Sequence, residues 1–204
     1  SENFGTQGKL KREVAAEICA VMAFSAIQNN DQVGLLLFSD EIEQFVRPRK
    51  GRRHVLRCIR ELFTAEPQSL GTDIENALQR VLRILRRRSI LVLVSDFFDD
   101  GYDSMLRAAA QRHDTIGVEL RDPREEELPP VGLVDLTDAE TGETVTLDTR
   151  DEAARRAFTE AARARRQQTA ALFQRTGVGH VPVRTDEDYV EPLIEFFRRR
   201  TRRG

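Results

Sequence analysis

Cysteine is scarce in this chain, with Cys19 and Cys58 as its only representatives. Each falls on an expected helix beside apolar neighbours, in Ile18-Cys19 and Cys58-Ile59. Two buried free thiols are expected, not a disulfide or a metal site. Cysteine use this sparse agrees with a reducing cytoplasm. Long apolar runs are also missing; none approaches the roughly 20 residues that cross a bilayer, and no signal peptide is visible. An excess of one charge is absent too: 32 Lys+Arg face 34 Asp+Glu, a net charge of -2. Such balance predicts no general affinity for nucleic acid or membrane. There is no internal repeat, no low-complexity segment and no Gly-x-x-x-x-Gly-Lys phosphate loop, so ATP hydrolysis is not expected. His54, His113 and His180 lie far apart with neither metal spacing nor an accompanying nucleophile motif.

What is present is a globular composition. The 204 residues are 40% hydrophobic and 32% charged, enough for one domain with a sizeable core. Periodicity predicts a helix over residues 9–28, with Val14, Ile18, Val21, Met22 and Ile27 inward. Asn29-Asn30-Asp31 breaks it. A buried strand over 33–38 and an edge strand over 43–46 before Pro48 follow. Helices are expected over 53–63 and 74–87, the second capped by Thr72-Asp73 after a loop over 67–71. Ile90-Leu-Val-Leu-Val94 then runs straight into Ser95-Asp96. Five apolar residues bounded by polar ones read as a strand buried on both faces, most simply in a parallel sheet.

The chain continues with a helix over 104–112, a strand over 115–120 and an acidic loop over 121–130. Residues 133–147 break the alternation: Val134-Asp-Leu and Thr144-Val-Thr-Leu147 flank turn chemistry in Asp138-Ala-Glu-Thr-Gly142, which predicts an inserted hairpin. A helix over 150–176 stopping at Gly177, a strand over 179–183 and a helix over 189–200 close the chain. The fold class expected is α/β, a doubly wound, mostly parallel sheet with a late hairpin. Folds of this type usually open with a central strand, whereas Ser1-Glu-Asn-Phe-Gly-Thr-Gln reads like the loop after one. That first strand is expected to be missing; a fragment and a start whose initiator Met was removed are both consistent with the terminus.

Three segments are expected at the carboxyl edge of the sheet, where ligands bind in such folds: residues 1–6, 70–73 and 94–96. They offer Ser1, Thr72 and Asp96, with Asp73 nearby. These hard oxygen donors suit Mg²⁺, which takes few protein ligands and keeps several waters. An ion so held attracts a carboxylate from a partner.

Several stretches of the chain resemble the von Willebrand factor A-type domain, in the bacterial branch called DUF58. They are Phe4-Gly-Thr6, Val33-Gly-Leu-Leu-Leu-Phe-Ser-Asp40, Pro48-Arg-Lys-Gly-Arg-Arg-His54, Gly71-Thr-Asp73 and Leu93-Val-Ser-Asp-Phe97. The resemblance covers essentially the whole chain. It implies a metal-ion-dependent adhesion site: Asp-x-Ser-x-Ser after the first strand, a later Thr matching Thr72, and an Asp after the fourth strand matching Asp96. Ser1 fits the last Ser of the first part; the Asp and first Ser of that part have no counterpart in this chain. The implied partner is a MoxR-type AAA+ ATPase or its client.

Each residue also has a structural reading. Asp96 could order the loop after its strand, Thr72 could be an N-cap, Asp73 a first-turn acid, Asp40 a turn residue and Ser1 a chain end. The function expected is a non-enzymatic protein-interaction domain. The alternative is a metal-dependent phosphoryl-transfer hydrolase using Asp96 with Asp73 or Asp99, for which no accompanying Lys and nucleophile set is evident. The basic clusters Arg47 to Arg53 and Arg198 to Arg203 lack aromatic interleaving, which argues against nucleic-acid stacking. A basic loop of this kind could recognise an acidic partner.

Overall fold

A computed structural model describes residues 10–65, 71–137, 144–191, 193 and 196. In chain order the elements are α1 (Lys11–Gln28), β1 (Val33–Phe38), β2 (Ile42–Arg49), α2 (Arg52–Thr64), α3 (Ile74–Ile84), β3 (Ile90–Ser95), α4 (Asp103–Arg112) and β4 (Asp114–Arg121). A single 3-10 turn, Pro123–Glu125, precedes β5 (Leu133–Thr137), β6 (Thr144–Asp148), α5 (Glu152–Thr176) and β7 (Gly179–Arg184). The architecture is α/β with a mostly parallel sheet, as the alternation predicts. The described residues divide into two compact units, one made of those within 10–91 and 98–114, the other of those within 92–97 and from 115 onward.

In the unit formed by residues 10–91 and 98–114, α1 buries Val14 and Ile18 together with Ala16, Ala20 and Ala23. The three alanines take inward positions that the larger Val21, Met22 and Ile27 were expected to hold. Asn30 turns the chain out of the helix at φ 56°, a conformation Asn tolerates better than branched residues. β1 and β2 pair antiparallel, with Leu36 opposite Phe45 and Phe38 opposite Ile42. β2 continues past the expected stop at Pro48. A Cβ on Gly34 would meet Pro48 Cγ at 2.8 Å, so only glycine leaves room for the proline ring beside β1.

α2 packs against α1 and turns Val55 and Cys58 inward. Gly51 precedes it at φ 105°, where a side chain would be strained. The first turn of α2 holds no acid; instead Arg52 and Arg53 stand there. Cations at this end oppose the helix dipole by about 0.3–1 kcal/mol each. His54 Nε2 lies 2.9 Å from the Val33 carbonyl and ties the helix to β1. α3 buries Ile74, Ala77, Leu78 and Leu82 and packs on α4. It ends at Ile84, short of the expected residue 87; Leu85 is already extended, and the exposed run Arg86, Arg87 and Arg88 offers nothing to bury.

The other unit is built on β4, the central strand of the order β3-β4-β7. Residues 115–120 of β4 are all buried, and β4 pairs with β7 in parallel from Ile116 opposite Gly179 to Arg121 opposite Arg184. Among the described residues β3 stands at the end of that order, and its burial pattern corrects the expected burial on both faces. Only Leu93 is buried within it, and Ile90 is 66% exposed. The inserted hairpin is β5 and β6, paired antiparallel; its expected turn at 138–142 lies outside the described residues. Thr149 closes the hairpin base: its Oγ1 accepts from the Val131 and Gly132 amides, both at 3.0 Å, and donates to the Gly132 carbonyl at 2.8 Å. α5 starts at Asp151, whose Oδ1 accepts from the Ala153 amide at 2.9 Å, and stops at Gly177 with φ 77°. Most of the expected closing helix lies outside the described residues; within them, the Leu193 amide donates to the Tyr189 carbonyl.

Both cysteines are free. Cys58 is buried as expected, but Cys19 is half-buried. Burial pushes the Cys19 thiol up to about 11 and also raises that of Cys58, so neither is a ready nucleophile.

Candidate functional site

The end of β3 is shaped by an aromatic anchor. Ser95 and Asp96 are half-buried, whereas Phe97 is only 2% exposed and adopts φ 58°. Left-handed backbone is uncommon for any residue with a side chain and an outlier for a bulky one. Interactions on both sides hold it. Ser95 Oγ accepts the Phe97 amide at 3.1 Å, and the Phe97 ring meets Phe173 edge-on with centroids 4.9 Å apart. Gly117 on β4 makes the space, since a Cβ there would fall 2.5 Å from Phe173 Cε2 and 3.3 Å from Phe97 Cζ. Phe173 in turn meets the His180 ring at 5.0 Å. His180 Nε2 lies 2.6 Å from Glu119 Oε2, which also accepts from Arg121 at 2.7 Å. Asp96 thus sits between a strand end and a turn locked from below.

In the other unit, two loops and a carboxylate meet at the start of α3. The Asp73 amide donates to the Ser39 carbonyl at 2.8 Å, joining the end of β1 to the loop before α3. Asp73 Oδ1 accepts from the Asn76 amide at 2.7 Å, so Asp73 is the N-cap. Asp99 Oδ2 accepts the Ile74 amide at 2.7 Å, and its Oδ1 accepts from the Asp100 amide at 2.7 Å. Burial raises the Asp99 pKa, these two amides oppose the rise, and Asp73 and Asp100 add to it. Ser39 Oγ donates to Asp40 Oδ1 at 3.1 Å, the turn-ordering role expected of Asp40.

Of the three expected ligands, Asp96 lies at the β3 turn, Thr72 lies before α3 in the other unit, and Ser1 lies outside the described residues. Capping falls to Asp73, not to Thr72. The Thr72 side chain is exposed and makes no hydrogen bond among the described residues. Among those residues no group of three or more His, Cys, Asp or Glu side chains is placed to hold a metal ion. Two features lay beyond sequence reasoning. The Asp99 bond to the Ile74 amide crosses 25 residues. The left-handed Phe97 depends on Gly117 and Phe173; the only local signal is a large aromatic directly after the acid.

Residues 1–168 match the family described as Protein of unknown function DUF58. The chain belongs to the DUF58 family. An uncharacterized protein of Mycobacterium tuberculosis, Rv1480, is 33% identical over 205 residues, covering 99% of this chain and 64% of its own length. The uncharacterized protein Mb1516 of Mycobacterium bovis matches to the same extent. The uncharacterized protein MAV169 of Mycobacterium avium is 34% identical over 160 residues, covering 77% of this chain and 94% of its own. This DUF58 chain therefore spans just under two thirds of the length of the first two relatives. Among solved structures, the conserved hypothetical protein BatB from Bacteroides thetaiotaomicron shares the fold, with a TM-score of 0.57 at 14% identity over 94% of this chain and 88% of that one. No helix among the described residues is long and apolar enough to cross a membrane.

Proposed function

We propose that this DUF58 chain is a non-enzymatic protein-interaction domain of the von Willebrand A type, with its contact surface at the turn after β3. The observation that carries this reading is the left-handed Phe97 immediately behind Asp96. Such backbone costs about 1–3 kcal/mol and persists where the surroundings over-determine it, typically at functional positions. Here Gly117, Phe173 and the Ser95 hydroxyl do so, and the result is an acid presented on a rigid turn.

The ion implied by the family resemblance is Mg²⁺, with Ser1, Thr72 and Asp96 as its ligands. The donor chemistry fits: a hydroxyl and a carboxylate are hard oxygens, and an ion with few protein ligands keeps most of its waters. When bound, the ion would offer an open position to a carboxylate of the partner. The exposed Thr72 hydroxyl, relieved of capping by Asp73, supports its place in the set. Asp73 and Asp99 are engaged with backbone amides at the start of α3, which disfavours their use as the second acid of a hydrolase. The partner class belonging to this reading is a MoxR-type AAA+ ATPase or its client, met in the cytoplasm.

Titration of Mg²⁺ or Mn²⁺ tests the site residue by residue. Asp96→Ala and Thr72→Ala are each expected to weaken binding by about tenfold or more. Unchanged affinity in Asp96→Ala would overturn the adhesion site. Phosphatase activity that disappears in Asp96→Asn would favour the hydrolase instead.

A further inference from the structure

The second half of β2 and the outer face of α2 concentrate positive charge that is mostly without an ion pair among the described residues. Seven cations stand between residues 47 and 60: Arg47, Arg49, Lys50, Arg52, Arg53, Arg57 and Arg60. All seven are exposed, in a chain whose overall charge is -2. Only Arg57 and Arg60 make ion pairs among the described residues, both with Glu61 at 3.5 Å. The other five make none. At 100° per residue, the exposed positions of α2 form one continuous face, with the buried Val55 and Cys58 behind it. Two large apolar side chains lie on that outer face, Leu56 at 42% and Phe63 at 53% exposure. They are two helical turns, about 10 Å, apart.

Arg52 and Arg53 do not serve the helix they stand on. They oppose the dipole at its first turn, and no acid compensates there. An anionic partner would reverse that penalty. Six of the seven cations are arginine, whose planar fork pairs with carboxylates in a way an ammonium does not. The apolar pair selects among anionic partners. Two side chains seven residues apart match the anchor spacing of an amphipathic helix laid alongside. They are too few for the continuous apolar face that seats a helix in a membrane. A single exposed aromatic makes a poor stacking platform for nucleic acid.

We propose that the outer face of α2, with Arg47, Arg49 and Lys50 beside it, docks an acidic amphipathic segment of a partner protein, its carboxylates on the arginines and its apolar residues on Leu56 and Phe63. This proposal invokes neither Asp96 nor a metal ion.

The test uses the full chain and a synthetic helical peptide rich in Glu, with Leu at positions seven apart. Its control is the same peptide with Gln for Glu. The acidic peptide is expected to bind about tenfold or more tightly than the control. Adding salt should weaken binding, and Arg53→Glu/Arg57→Glu should abolish it. Leu56→Ser/Phe63→Ser should lower affinity at low salt without changing the salt dependence. Asp96→Ala should leave it unaltered, which separates this face from the proposed adhesion site. Arg52→Gln/Arg53→Gln should lose binding while melting at the same or a higher temperature, so loss of binding is not loss of fold. The proposal is overturned if both peptides bind alike, or if phosphatidylglycerol vesicles or duplex DNA compete away the acidic peptide at lower concentration than unlabelled peptide does. Self-association abolished by the Arg53→Glu/Arg57→Glu pair would overturn it in favour of a second copy of this chain.

Discussion

Placing a carboxylate on a fully buried strand is unfavourable by several kcal/mol unless charge and hydrogen bonds answer it. Glu119 is 3% exposed on β4 and is answered twice, by His180 and by Arg121, on one oxygen. Burial alone would raise its pKa; the two partners more than offset this and hold it below the usual carboxylate value. The contribution to stability is therefore present above about pH 4.5, the ordinary glutamate value, and is lost as pH falls through the lowered folded value. Glu119→Gln leaves the Arg121 side chain without its counter-charge and removes the carboxylate that His180 contacts. Because those partners are one-fifth exposed, the expected destabilisation lies at the lower end of about 3–5 kcal/mol. Denaturant melts of both proteins down the acid range check it: the variant should lose stability at neutral pH and show a shallower acid slope.

His113 presents the opposite case. It is 2% exposed at the end of α4, and both ring nitrogens lack a partner among the described residues. Burial, and then the neighbouring Arg112 charge, lower its pKa below the usual histidine value. Its neutral form is favoured in the fold, so stability present above about pH 6.5 declines as pH falls toward the lowered value. His113→Leu removes two orphaned polar atoms and should stabilise by up to about 1–3 kcal/mol. It should also remove the part of the acid sensitivity that begins below pH 6.5, a window above that of Glu119. Thermal melts of both proteins at neutral and mildly acidic pH measure the two effects together.

At the scale of elements, periodicity and punctuation located most segments because the decisive forces are local. β1 occupies residues 33–38 as expected, since six apolar or small residues stand between Asp31 and Ser39-Asp40. α5 ends at Gly177 because only a left-handed C-cap satisfies its last turn. The errors arise where the answer depends on a distant residue. β2 passes Pro48 because Gly34, on another strand, makes room for the ring. The apolarity of Ile90 to Val94 predicts a strand but not what covers its faces, so β3 was expected to be buried on both faces, whereas only Leu93 is buried within it. The candidate site follows the same rule. The place of Asp96 just past the end of β3 was legible from the strand end, and the cap before α3 from Thr72-Asp73. The left-handed turn at Phe97 was not, because Gly117 and Phe173 impose it from positions 20 and 76 residues away.

At the scale of the whole molecule, the strand order leaves edges to be explained. Among the described residues, β1 has a neighbour only in β2, and β3 only in β4. Both strands are rich in Val, Leu and Ile, and most of their residues are half-exposed. Unpaired apolar edges are templates for another strand, and proteins commonly blunt them with charge, proline or a bulge. β2 has Pro48 and flanking arginines; β3 has none of these between Ile90 and Val94. Net charge adds little protection, at -2 near neutral pH with an isoelectric point near 6.0. We therefore expect this chain by itself to self-associate with rising concentration, most strongly near pH 6.0 and least well above it. Sedimentation velocity over a concentration series at each pH reads this directly. Val92→Lys, on the edge strand, should shift the series toward monomer, whereas the charge-preserving Leu56→Ser/Phe63→Ser pair should not. A monomer at every concentration and pH would mean that the β3 edge is covered.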